Sequence, residues 1–163
     1  MPLSREIQVY QFLQSYGESL LAELATDRTL TRMSDTGHHP MWLMGHLAFV
    51  GQRMVAAFGG EPAVDLEDYG RRFGIGSELS DNPDDYPTWN QVLGVWRDAH
   101  RQLPELAPSL TDAQLAEPNE NPRMSEALPT KADFYAFVLT GHEAMHLGQL
   151  SAWRRSQGLP RLF

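Results

Sequence analysis

The residues best suited to chemistry lie in Gly141-His142-Glu143-Ala144-Met145-His146-Leu147-Gly148-Gln149-Leu150. Side chains four apart stack on one face of a helix, so His142 and His146 project side by side and Gln149 follows one turn on. Two neutral imidazoles at that spacing make half of a zinc-type site. The string also satisfies H-E-x-x-H, the zinc-peptidase pattern in which the glutamate is the general base. Such a site needs a third protein ligand, with a position left open for water or substrate. One peptidase class draws it from a glutamate farther along, but residues 147–163 hold no Asp and no Glu. Another extends the motif to H-E-x-x-H-x-x-G-x-x-H; here Gln149 and Ala152 occupy the Gly and final His positions. The string therefore points away from a peptidase, and a third ligand has to come from upstream.

His46 is the best placed upstream residue. It shares a helical face with Trp42, Phe49, Val50 and Arg53. A lone histidine on an apolar face is usually a satisfied core residue, but beside a pair that lacks its third partner it reads as the missing ligand. His38 and His39 precede Pro40 on a polar stretch and read as solvated. His100, four residues after Trp96, reads as a boundary histidine; as a fourth ligand it would close the site. Glu143 reads as a base or as an exposed salt-bridge partner. Gln149 reads as a contact to a ligand histidine or to substrate, or as a satisfied core amide. Arg53 reads as the holder of an anionic substrate or as a salt-bridge partner at the bundle end. Because a histidine must be neutral to ligate, its ordinary pKa of about 6.5 predicts loss of metal below about pH 6.

Four helices have to position these groups. The first is predicted over residues 4–25, from Ile7, Tyr10, Leu13, Leu20 and Leu24 at helical spacing. The second runs from Pro40, favourable at a helix start, to about Phe58, where Gly59-Gly60 ends it. The third begins at Thr88, which has capping-box spacing to Gln91, and carries Trp89, Leu93, Trp96, Leu103 and Leu106. The fourth starts after Thr130, with Asp133 at the reciprocal capping position, and ends at Ser156 or Gln157 before Gly158 and Pro160. Its inward stripe is predicted as Tyr135, Val138, Leu139, His142, His146, Gln149 and Trp153. Residues 59–87 read as a long acidic connection whose aromatics, Tyr69, Phe73 and Tyr86, pack on the body. Residues 110–115 read as one short turn with Thr111-x-x-Gln114 capping. No strand-like alternation is present, so the expectation is all-α, one domain over 1–163, with amphipathic stripes buried against each other in a bundle.

Composition excludes several classes. The 163 residues contain no cysteine, so there is no disulfide, thiolate ligand or cysteine nucleophile. A net charge of −8 argues against a nucleic-acid partner. No apolar run reaches membrane-spanning length, and no secretory signal is visible at Met1-Pro2-Leu3-Ser4-Arg5-Glu6, so the expected location is cytoplasmic, with no membrane partner.

Trp42-Leu43-Met44-Gly45-His46-Leu47 together with His142-x-x-x-His146-x-Gly148-Gln149 resembles the DinB-like superfamily of metal-binding helical bundles. The resemblance covers nearly the whole chain, including Gly74-Ile75-Gly76-Ser77 and the ending Arg155-Ser156-Gln157-Gly158-Leu159-Pro160. It implies a four-helix bundle, up-down-down-up, with a long crossover between the second and third helices. It also implies that His46, His142 and His146 bind a divalent metal, zinc or nickel. The implied activity is a metal-dependent transfer or isomerisation of a small-molecule substrate using a low-molecular-weight thiol, in a homodimer. The alternative is a non-catalytic dimeric bundle whose metal is structural or absent.

Overall fold

The computed structural model describes residues 2–35 and 37–162. Its elements are α1 (Ser4–Leu21), α2 (Pro40–Ala57), α3 (Leu66–Phe73), α4 (Trp89–Leu106), α5 (Asp112–Leu115), α6 (Lys131–Phe137) and α7 (Glu143–Ser156). A π-helical turn, Val138–His142, joins α6 to α7. No strand forms among the described residues; Pro118 and Thr130 make one isolated bridge.

Contacts between helices fix their directions. Tyr10 stacks on His100 while Glu18 pairs with Arg97, so α1 and α4 are antiparallel. Gly17 faces Leu147 and Leu20 bonds Arg154, so α1 and α7 run together. Gln52 bonds Val95 and Asp98 while Gly60 abuts Leu106, so α2 and α4 run together. The result is the four-helix bundle, up-down-down-up. One section of the core gathers Leu47, Trp96, Leu147 and Trp153; the other gathers Tyr10, Val55, Leu103 and Leu139.

The predicted boundary chemistry is present. Thr88 with Gln91, Thr111 with Gln114 and Thr130 with Asp133 form reciprocal capping boxes. Gly59 (φ 85°) and Gly158 (φ 75°) take the left-handed conformation that closes α2 and α7. In each case the next residue's N–H returns to the carbonyl five back, the Schellman arrangement.

Three features differ from the sequence reading. The first helix stops at Leu21, not at residue 25, because buried Arg154 takes the Leu20 carbonyl at 2.7 Å. That carbonyl would otherwise serve Leu24, whose N–H bonds Leu21 instead. Second, the connection over 59–87 contains a helix, α3. The Asp65 side chain caps it by accepting from the N–H groups of Glu67 and Asp68, and Arg71 and Arg72 lie at its negative end. Tyr69, Phe73 and Tyr86 are buried as expected, and α3 covers a face of α2, which is consequently buried on most sides rather than along one stripe. Third, the last helix is interrupted. A π turn holds one residue more than an α turn, so the helical phase beyond it shifts by roughly 100°. Glu143, Leu147, Leu150 and Arg154 join the buried side, whereas Gln149 is exposed.

Candidate metal centre

His46 enters from α2, His142 from the π turn and His146 from the first turn of α7. One ligand nitrogen from each lies within 4.8 Å of the other two. His46 Nδ1 lies 2.7 Å from the Phe73 carbonyl. A carbonyl only accepts, so Nδ1 carries the proton and Nε2 keeps its lone pair. His146 Nδ1 lies 2.8 Å from Gln149 Oε1, which places its proton in the same way. His46 Nε2 faces His142 Nε2 at 3.1 Å. Two nitrogens on one tetrahedral ion, each at 2.0–2.1 Å, stand about 3.3 Å apart. His142 Nδ1 is buried with no hydrogen-bond partner among the described residues.

Electrostatics favour the ligating form. Burial, reinforced by His146 and His46, pushes His142 down to about 3. Burial pushes His46 down to about 4 against the opposing bond to Phe73, with His146 and His38 adding to the fall. His146 is lowered by burial, with Gln149 and Glu143 opposing. All three are therefore neutral imidazoles at physiological pH, a donor set that fits a borderline divalent ion such as zinc or nickel.

The surroundings hold these rings in place. Trp42 lies nearly parallel to His46 (ring centroids 4.8 Å apart, planes 6° apart), and its indole N–H donates to Ser77 Oγ at 2.8 Å. Gly45 lets Phe73 approach, since a Cβ there would sit 2.2 Å from the aromatic ring. The Phe73 carbonyl, absent from the sequence reading, thus depends on the Gly45-His46 pair in α2. A glycine beside a candidate ligand was the only local signal for it.

The remaining candidates lie elsewhere. Glu143 is not an exposed ion-pair partner. It is 3% exposed, and its Oε1 accepts from Trp96 Nε1 at 2.9 Å and bonds His100 Nε2 at 3.0 Å. His100 is fully buried on Tyr10, outside the triad, so it does not close the site. His39 is not solvated: its Nδ1 accepts from Trp42 N–H as the N-cap of α2, and its Nε2 bonds the Ser80 carbonyl. His38 is exposed and stacks on Trp42 at 3.9 Å, so it is solvated as expected on one side. Arg53 is exposed above the Phe49 ring. Gln149 is exposed rather than on the inward stripe, yet it reaches His146.

Comparisons with known proteins agree with the fold. The model of the DinB superfamily matches residues 11–150. A solved structure, YfiT from Bacillus subtilis, matches with a TM-score of 0.68 over 96% of this chain and 87% of that one, at 17% identity. YfiT is described as a probable metal-dependent hydrolase with an unusual four-helix bundle topology. No curated protein matches the sequence.

Proposed function

The chain belongs to the DinB superfamily, and from that premise we propose that it is a metal-dependent enzyme acting on a small molecule through His46, His142 and His146. The observation that carries this reading is the convergence of three neutral imidazole nitrogens, two with their tautomers set by Phe73 and Gln149. Hydrogen bonds to the far nitrogens of ligating histidines are how metal sites orient their ligands. No fourth histidine or carboxylate joins the group among the described residues, which favours an open catalytic site over a closed structural one. A divalent ion held there would supply Lewis acidity and lower the pKa of a nucleophile at the open position.

We read the nucleophile as a low-molecular-weight thiol. The chain has no cysteine, so any reactive thiol has to arrive from solution. A hydrolytic variant, with water in that role, is favoured by the description of YfiT. Gln149 would orient His146, and being exposed it could also touch substrate. The proposal includes a homodimer, supported by exposed Val9 and Phe12 one turn apart on the outer side of α1. Elemental analysis of purified protein, then an electrophile and ester screen with and without several thiols, tests the reading. One divalent metal per chain and metal-dependent turnover are expected. Protein that turns over nothing when reconstituted with zinc or nickel would favour the non-catalytic bundle.

A further inference from the structure

The glutamate of the H-E-x-x-H string lies in the core, and the reaction proposed above does not use it. Glu143 is 3% exposed and follows the π turn directly, between His142 and His146 in the chain. Burying a carboxylate is costly unless its oxygens are bonded. Oε1 accepts the indole N–H of Trp96 at 2.9 Å and lies 3.0 Å from His100 Nε2. Trp96 and His100 stand four apart on one face of α4, and their rings meet edge to face with centroids 4.7 Å apart. Both rings are backed by α1. Tyr10 lies flat on His100 at 3.7 Å, and a Cβ on Gly17 would stand 2.8 Å from the Trp96 ring. His100 Nδ1 is buried without a partner among the described residues, so Glu143 alone holds that ring by a hydrogen bond.

This attachment bears on the metal centre through the chain itself. Glu143 and His146 are three residues apart in α7, so their side chains leave the helix about 60° apart. One is fastened to α4; the other meets His46 of α2, ring centroids 4.8 Å apart. A helix with a fastened side chain on one flank cannot roll about its axis without breaking that bond. Roll is the motion that would carry His146, and with it His142, away from His46. The extra residue of the π turn takes the phase of α7 out of the regular helical ladder, so other contacts have to set it. Apolar burial of Leu147 and Leu150 fixes depth but has no direction, whereas hydrogen bonds fix angle.

We propose that Glu143 is the positioning residue of the centre: bonded to Trp96 and His100, it sets the rotation of α7 that delivers His142 and His146 to His46. The inference rests on the three-histidine metal reading above. It makes Glu143 neither ligand nor base, so the glutamate of the peptidase-like string has a different task here. A functional site needs support that holds its groups to about 0.5 Å and 10–20°. A leucine in place of the glutamate would keep the burial and release the angle.

The test compares the unaltered chain with Glu143→Gln, Glu143→Leu and Phe58→Leu. Phe58 is a core residue at the far end of α2, packed on Tyr135, and serves as the control for lost stability. Each form is titrated with zinc against a chromophoric chelator and with cobalt(II), whose visible absorption reports ligand number and angle; denaturant midpoints are measured alongside. Glu143→Gln keeps an oxygen for the indole and is expected to bind zinc within about threefold of the unaltered chain, with the same cobalt spectrum. Glu143→Leu is expected to lose zinc affinity at least about tenfold, with a shifted or weakened cobalt band. Phe58→Leu is expected to lower the denaturant midpoint and leave zinc affinity and cobalt spectrum in place. Should Glu143→Leu not fold, Trp96→Phe, which deletes the indole N–H, takes its place with the same cobalt change expected. An unchanged zinc affinity and cobalt spectrum in the leucine variant, or in Trp96→Phe standing in for it, would overturn the inference and leave the metal reading in place. A Phe58→Leu chain that loses as much zinc affinity as Glu143→Leu would also overturn it, because lost stability alone would account for the effect. An unaltered chain that binds no zinc would remove both readings together.

Discussion

At the scale of the residue, the three candidate ligands differ from neighbours that merely look like them. His46→Ala or His146→Ala leaves two imidazoles, so stoichiometric metal should be lost on dialysis. Glu143→Gln should keep it, because that side chain faces Trp96 and His100 rather than the centre, and a glutamine oxygen can still accept from the indole. Metal content of the three variants decides the point; full metal in His46→Ala would remove the three-histidine assignment. Burial also revises the pH expectation. Protons compete for an imidazole only near its folded pKa, which is about 4 for His46 and about 3 for His142. Metal retention should therefore hold from pH 8 to about 5 and fail nearer 4, not at 6 as free histidine would suggest. Dialysis across that range measures it, and half-loss at pH 6 would contradict the burial argument.

At the scale of the element, α3 shapes the candidate centre without contributing a candidate ligand of its own. It packs Phe73 against Gly45, and the Phe73 carbonyl then fixes His46. Gly45→Ala would place a methyl 2.2 Å from that ring. Overpacking of this kind costs about 1–3 kcal/mol. Displacing the carbonyl should weaken metal binding about 10- to 100-fold, the usual effect of losing a bond to a ligating histidine. Denaturant midpoint and zinc affinity should fall together; a destabilised variant with undiminished zinc affinity would show that the bond to Phe73 does not tune the site. The π turn matters in the same way, since it carries His142 and resets the phase of the helix that carries His146.

At the scale of the molecule, the buried histidines tie stability to pH. In the metal-free chain they are neutral when folded, whereas unfolded histidine takes up a proton near pH 6.5. As pH falls from 6.5 towards 4 the unfolded state therefore binds more protons, and folding stability declines. The slope should reach about 1.4 kcal/mol per pH unit for each such histidine and flatten below the folded pKa values. Urea unfolding at several pH values measures it, and a flat profile between 6.5 and 4 would show that the rings are solvated. The bundle also bears on the peptidase look-alike. It offers no strand among the described residues against which an extended peptide could lie, and Glu143 is committed to the core. Casein and peptide libraries should stay intact with metal-loaded protein. Cleavage lost in Glu143→Gln, with metal still bound, would reverse this conclusion.

Much of the fold was legible because it is written locally. Apolar spacing, capping residues and the closing glycines act within a few residues, so the four main helices and most of their ends could be read directly. Thr88, Thr130 and Gly158 are examples, and the stacking of His142 over His146 follows from helix geometry alone. The acidic crossover hid α3 because capping by Asp65 and burial of Phe73 only act together. Gln149 and Glu143 exchanged their expected environments because a π turn upstream rotated the helix, and nothing in the motif itself signals that turn. The same holds for His46. Its sequence marks it as a histidine on an apolar face, and only tertiary contact brings it to 3.1 Å from His142. The depressed pKa values and the tautomers are consequences of that packing. Interactions within a turn are fixed by neighbours in the chain; burial and the meeting of distant side chains are fixed only when the whole bundle closes.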